Sequence, residues 1–398
     1  MKVAVRPLES ADLPGIERLR TTIYPHYPEA FDHDWHASIW RWLESHPAAS
    51  ELHRWILETE EGEIVGHLAA TPQFYRINGQ RILAHTPADY QVLPQYGFHA
   101  LLLMRKFFRT VQNCVACDML PTVISVETRL GAEVVGGLNY AAKLLNVSRL
   151  PAPSIPAPIK RLLRLREPSP SGDADDGAGV LGQGPVVPPP RPRAPIPRPL
   201  KGLLNGGLEV IDETLGSIFG GRLKVEVLEG FDESFDELFK KIASRVPCLP
   251  EKDAAFLRWR YGPGSPQTPV LILGVRDREG LLGYTVLRVT RKSLDGLHDA
   301  YILDLMALPE RHDVARALLQ EAVRFFRQAG VPIVRYRFLM SPTSPRSSDL
   351  WRLGFFYRNE RRNMLLAKFA DRGLHKMVND LANWSYSIGD GEATFWVR

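Results

Sequence analysis

The sequence predicts an α/β (α+β) protein made of two tandem copies of one unit. Each copy is a mixed, mostly antiparallel sheet flanked by helices, and a proline-rich linker joins them. Three observations predict this. Short runs of alternating apolar residues are interleaved with runs at helical spacing. Four landmarks recur in order. Arg41-Trp42 stands 24 residues before Gly66, and Arg258-Trp259 stands 24 before Gly283. Pro94 and Pro309 follow those glycines by 28 and 26 residues, and Leu130-Gly131 and Leu353-Gly354 each precede a final strand. Offsets between 215 and 223 are what loop-length changes leave in a duplicated unit. Third, residues 151–200 hold 14 of the 32 prolines, and 169–184 is small, acidic and glycine-rich. Such a stretch buries too little apolar surface to fold alone. The expected layout is a first domain at 1–148, a largely disordered linker at 149–205 and a second domain at 206–398.

In order, 3–7 reads as a strand, and Ser10 or Asp12 caps a helix over 13–23. A second helix covers 36–43. Strands follow at 53–59 and 64–75, and Asn78-Gly79 turns the chain into a return strand over 81–93, bulged near Pro87. Gly97 breaks that strand from the amphipathic helix starting at Leu101. A strand at 113–119, a helix at 122–130 and a strand at 132–138 close the first copy. After a small helix at 209–219 the plan returns. Strands are expected at 224–228, 270–276, 282–290, 300–308 and 331–340, with one long last strand at 355–368. Helices are expected at 233–244, 253–261, 314–328, 347–353 and 375–383. Inside the linker, 159–165 has the pattern of a short basic amphipathic helix.

Composition excludes several classes. No apolar run reaches the roughly 18 residues of a membrane helix, and the start lacks a signal-peptide core, so a cytoplasmic protein without an integral membrane segment is expected. Three cysteines make no disulfide framework. Cys114 and Cys117 lie three apart in a strand, on opposite faces, and no metal is expected there. Asp32, His33, Asp34 and His36 are metal-ligand types, but they precede a helix, where Asp is an ordinary cap. Residues 151–201 carry eight Lys or Arg against four Asp or Glu, which leaves the rest of the +5 chain near neutral and argues against a nucleic-acid partner.

The stretch 88–108, ADYQVLPQYGFHALLLMRKFF, runs strand, turn, helix, an arrangement that aims backbone N–H groups at one anion. Together with IVGHLAATP and ETRLGAEVVG, and with LLGYTVLRV, LDLMALPERHDVARALLQEAVRFF and WRLGFFYRN in the second copy, it resembles the GNAT superfamily of acyl-CoA N-acyltransferases. The tandem layout is similar to FemAB-type transferases. The resemblance implies acetyl-CoA or another acyl-CoA as co-substrate, a small-molecule amine as acceptor, no metal, and a donor held by Val92, Gly97, Phe98, His99 and Ala100. The first copy departs from the family loop in placing His99 where a second glycine belongs; the second copy has no glycine there. The family's strand carboxylate corresponds to Asp89 and Asp304. Asp89 suits a base, directly or through water, and equally a strand-end carboxylate bonded to backbone. The family's helix tyrosine is replaced by Glu127 and Leu350; Tyr90, His85 and Tyr140 are possible substitutes. Asp89, Tyr90 and Glu127 are therefore the candidate catalytic residues. The damaged loops also fit a non-catalytic binding or scaffold pair, and a carrier-linked donor would tolerate them. Trp35, Trp40, Trp42 and Trp55 suit either an acceptor pocket or core, and Trp384 and Asp390 suit a cap on the second sheet. The oligomeric state is not fixed by the sequence.

Overall fold

In the computed structural model, which describes residues 2–147, 198–219, 222–290, 296–359 and 362–392, the alternating runs become two sheets. The first half contains β1 (Val3–Pro7), α1 (Leu13–Ile23), α2 (His33–Glu44), β2 (His53–Thr59), β3 (Ile64–Ile77), β4 (Gln80–Val92), α3 (Ala100–Thr110), β5 (Cys114–Asp118), α4 (Pro121–Arg129), β6 (Glu133–Gly137) and β7 (Asn139–Leu144). Asn78 and Gly79 hold φ of 50° and 78°, so the β3–β4 hairpin has the two left-handed residues that a tight two-residue turn requires. Asp32 caps α2 by accepting from the Trp35 N–H at 3.0 Å, which is the role its position predicts.

The second half contains α5 (Arg198–Phe219), β8 (Glu226–Leu228), α6 (Glu233–Ala243), β9 (Cys248–Pro250), α7 (Ala254–Tyr261), β10 (Leu271–Asp277), β11 (Gly280–Val289), β12 (Ala300–Ala307), α8 (His312–Gln328), β13 (Ile333–Phe338), α9 (Ser347–Arg352), β14 (Phe356–Arg358), β15 (Met364–Lys368) and α10 (Arg372–Val378). The expected linker is helical from Arg198 onward, because Leu208, Leu215 and Phe219 give its end one apolar face. The remainder of it, including the basic 159–165 run, lies outside the described residues, as does Asp295 of the expected turn.

The halves exchange strands. The first sheet has the order β1-β2-β3-β4-β5-β15-β6, and the second β14-β7-β13-β12-β11-β10-β8. Thus β15 from the second half lies between β5 and β6, pairing Leu365 with both Cys117 and Gly136. In return β7 lies between β13 and β14, pairing Ala141 with both Tyr336 and Tyr357. The single strand expected at 355–368 is therefore two strands in different sheets, and the first half has a strand at Asn139–Leu144 that the sequence did not announce. β9 adds a further crossing by pairing with β3. Neither expected span closes its own sheet.

The landmark tryptophans meet between the halves. Trp42 and Trp259 stack with centroids 4.4 Å apart and planes 5° apart. Each donates its indole N–H to the other's backbone carbonyl, at 2.7 and 2.8 Å. Trp42 and Trp40 are thus core, and Trp55 packs under α3. Cys114 and Cys117 face different cores, as a spacing of three in a strand dictates. No described helix is long and apolar enough to cross a membrane.

Candidate functional site

In each sheet two parallel strands start paired and then part. β4 pairs with β5 only at His85 and Cys114, and Thr86 adds a 2.8 Å hydrogen bond to the Val115 carbonyl. β12 pairs with β13 from Ala300 to Ile302 and then departs. Beside each gap the strand carries a bulge. On β4 the extra residue falls between Ala88 and Gln91, where Asp89 takes φ of 52°. β12 has its register shift opposite Val286 and Leu287, next to Asp304.

Both aspartates are buried and held by a cation and a donor from the neighbouring strand. Asp89 pairs with Arg20 of α1, takes the Gln91 amide, and lies 3.1 Å from His67 Nδ1. Arg20 also donates to His36 Nδ1 at 2.9 Å, and His36 donates to the Ala30 carbonyl. Burial alone would raise the Asp89 carboxyl, but the charge of Arg20 and the His67 contact hold it below the ordinary carboxylate range. Asp304 lies 2.8 Å from Lys252 Nζ and accepts from Tyr284 at 2.9 Å. His67 and Tyr284 are equivalent in the repeat, each following Gly66 or Gly283.

Beyond these locks the gaps differ. The second is filled by the chain's own tail. Leu339 N–H donates to the Tyr386 carbonyl at 2.8 Å, and Ser387 bridges to Phe338. Ser387 Oγ donates to Asp304 at 3.0 Å, and Asp390 completes a buried cluster with Lys252 at 3.0 Å. A Cβ on Gly389 would lie 2.6 Å from the Leu303 carbonyl oxygen, so the tail fits there only with glycine. It then crosses to the first half, where Glu392 Oε1 accepts from the Asp89 N–H at 3.3 Å.

Near the strands that part at the first gap lies Glu127 of α4, close to Tyr90 of β4 and Cys114 of β5. The Glu127 side chain is 0% exposed, and neither carboxyl oxygen has a hydrogen-bond partner. Burial, reinforced by Asp118, pushes its carboxyl well above the ordinary range and favours the protonated form. Tyr90 is raised by burial and then by the nearby Glu127. The Cys114 and Cys117 thiols are raised by burial and are not nucleophiles at neutral pH. Between the halves, next to Thr86 and Ala88, a cleft is lined by Trp42, Pro72, Gln73, Phe256, Trp259 and Arg260 and bounded by Asp390 and Glu392.

No family model and no curated protein matches the sequence. Solved structures do match. A GCN5-related N-acetyltransferase from Anabaena variabilis ATCC 29413 superposes with a TM-score of 0.55 at 10% identity, over 95% of this chain and 75% of that one. Another, from Kribbella flavida, gives 0.54 at 12%, over 95% and 73%. N-myristoyltransferase from Saccharomyces cerevisiae, solved with myristoyl-CoA and inhibitors bound, gives 0.52 at 13%, over 92% and 80%. The fold is that of the GCN5-related N-acetyltransferases.

On this GNAT fold the sequence-predicted residues divide. Tyr90 and Glu127 lie near one another, whereas the Asp89 carboxylate is turned to Arg20, Gln91 and His67. Of the loop residues, Pro94–His99 forms one 3-10 turn leading into Ala100, and Gly97 is not among the residues with positive φ, so the turn does not use glycine's special freedom. Phe98 stands 90% exposed. Val92 is 1% exposed and packs into the core beneath α3, because it is opposite Gly66 in the hairpin; its side chain is unavailable to a ligand. His85 Nε2 donates to the Glu51 carbonyl at 2.9 Å, and Tyr140 stacks under Arg337. The tail was expected as a cap on the second sheet, through Trp384 and Asp390, and lies there; His67 and Arg20 were missed. The bulge that joins them to Asp89 is a pairing irregularity, and no residue type marks it.

Proposed function

We propose that the protein transfers an acyl group from an acyl-CoA to the amine of a small molecule, with the donor in the first half's gap. Glu127 carries this reading: a carboxyl group fully buried and without a hydrogen-bond partner is costly unless a ligand completes it. The GNAT fold supplies the support for acyl-CoA as the donor. The amine nitrogen, deprotonated in solution, attacks the thioester carbonyl; the C–N bond forms and the C–S bond breaks. Glu127 gives its proton to the departing thiolate, as a positioned acid does, and the proton that the new amide nitrogen sheds goes to water, from which Glu127 is reprotonated; Tyr90 lines the same space. Asp89 is a weak base where it stands, because its charge is committed to Arg20 and His67. Its role is to fix the bulge. The turn from Gly97 through His99 to Ala100 faces the diphosphate, and the acyl chain is acetyl or longer. A metal has no part in this step. The second half is structural or helps form the acceptor site.

The irregular turn favours one other reading, a non-catalytic acyl-CoA or small-molecule binder of the same fold. Thermal-shift titration with acetyl-CoA and longer acyl-CoAs, together with thiol release in the presence of amines, separates the two. Transfer predicts a saturable shift and thiol release that falls about 100-fold in Glu127→Gln. A shift without thiol release leaves the binder. No shift with any acyl-CoA removes both.

A further inference from the structure

The helix α5 is apolar on two sides, and the second half covers only one of them. On the covered side Leu215 lies beside Gly354, and Gln320 of α8 donates to the Gly216 carbonyl at 3.1 Å. Asp212, on the same side, is neutralised by Lys143 at 2.6 Å and by Arg327. The outer side carries Leu203, Val210 and Ile218, which are 75, 63 and 64% exposed, with Leu204 and Ile211 at 38 and 54%. At about 100° per residue these five fall within roughly a third of the circumference, and Glu209 and Glu213 fall outside that arc. A helix apolar all round belongs in a core; this one leaves an aliphatic row open along about four turns. At its C-terminal end it meets α9, where the Arg352 guanidinium lies 5.7 Å from the Phe219 ring and the adjacent Trp351 is 76% exposed.

The sequence leading into this row is basic. From 177 to 208 there is no Asp or Glu, and Arg191, Arg193, Arg198 and Lys201 stand in that interval. Lys160, Arg161, Arg164 and Arg166 form a second group upstream. An aliphatic row with cations at its start matches an anionic bilayer surface, where the row enters the acyl boundary and the cations meet headgroup phosphates. The apolar groove of a protein would leave those cations unanswered. We infer that the outer face of α5 docks the protein reversibly on a membrane surface rich in anionic phospholipid. No described helix is long and apolar enough to cross a membrane, so α5 lies along the surface. This goes beyond the acyl-transfer reading and takes nothing from it.

Sedimentation of the full chain with sucrose-loaded vesicles tests this, with phosphatidylcholine alone against phosphatidylcholine holding about 30% phosphatidylglycerol. The anionic vesicles should bind at least about 10-fold more tightly, and raising NaCl from about 0.1 to about 0.5 M should remove most of that preference. The double variant Val210→Asp, Ile211→Asp should bind at least about 10-fold more weakly, because two charges would have to enter the acyl boundary. Both positions are exposed, so the variant should fold. The comparison of the two vesicles uses the wild type and decides the matter even if the variant does not. Equal binding to both vesicles overturns the inference, as does no binding to the anionic ones, or wild-type binding by the folded variant. A wild type that ignores vesicles but elutes on gel filtration as a dimer, with the double variant a monomer, would make this face an interface between copies of the chain. Acyl-CoA is absent throughout, so failure here leaves the transferase standing, and failure of the transferase leaves vesicle binding untouched.

Discussion

The first and second halves share a lock and differ in what lies past it. In both, a buried aspartate at a strand bulge is clamped by a cation from a preceding element and by a donor on the adjacent strand: Arg20, Asp89 and His67 in one, Lys252, Asp304 and Tyr284 in the other. In the second half, Ser387 and Asp390 join the clamp and the tail occupies the gap. In the first, an unpartnered acid, Glu127, lies near the parting strands, and at the equivalent place the second half has the apolar Leu350. The difference separates two roles that one residue pattern conceals. The aspartates, similar in both halves, keep the sheet open. What the opening is for depends on Glu127 in one half and on the tail in the other.

The most damaging way to break the comparison is to remove each lock's cation. Arg20→Met and Lys252→Met leave a buried carboxylate uncompensated, and each should cost about 3–5 kcal/mol in urea unfolding. Lys252→Met should cost the more, since it strands both Asp304 and Asp390. Equal losses would mean that Asp390 contributes nothing. A smaller effect, about 1–3 kcal/mol, is expected for Gly389→Ala, whose methyl meets the Leu303 carbonyl and the Tyr261 hydroxyl. Unchanged stability would show the tail free to shift.

The finest test concerns Glu127 and pH. Its folded-state value lies above the ordinary one, so folding favours the protonated form. That stability is complete below the unfolded value and declines as pH rises toward the raised folded one. Across that window the wild type should lose up to about 1.4 kcal/mol per pH unit relative to Glu127→Gln. Melting temperatures of the two proteins that run parallel from pH 5 to 8 would place Glu127 in water.

Most elements were legible because period and turn chemistry are local. Asn78-Gly79, the Asp32 cap and the amphipathic α3 each follow from a few neighbouring residues. The strand exchange was not, because β7 and β15 alternate in the same way whichever sheet receives them; 355–368 reads as one strand although two sheets divide it. Asp89 could be found by its place in the repeat, and Glu127 by its distance from Gly131. Their environments could not, since Arg20 is 69 residues from Asp89 and Glu392 is 303 away. Trp384 and Asp390 stood out by type, but their partners come from separate stretches of chain.

The traded strands have a mechanical outcome. Cutting the backbone once between 148 and 197 would release neither piece, because each would leave behind a strand hydrogen-bonded on both edges in the other's sheet. A nicked sample should travel as one particle on gel filtration and melt in one step. The exchanged strands, and not the covalent connection, thus hold the two pieces together.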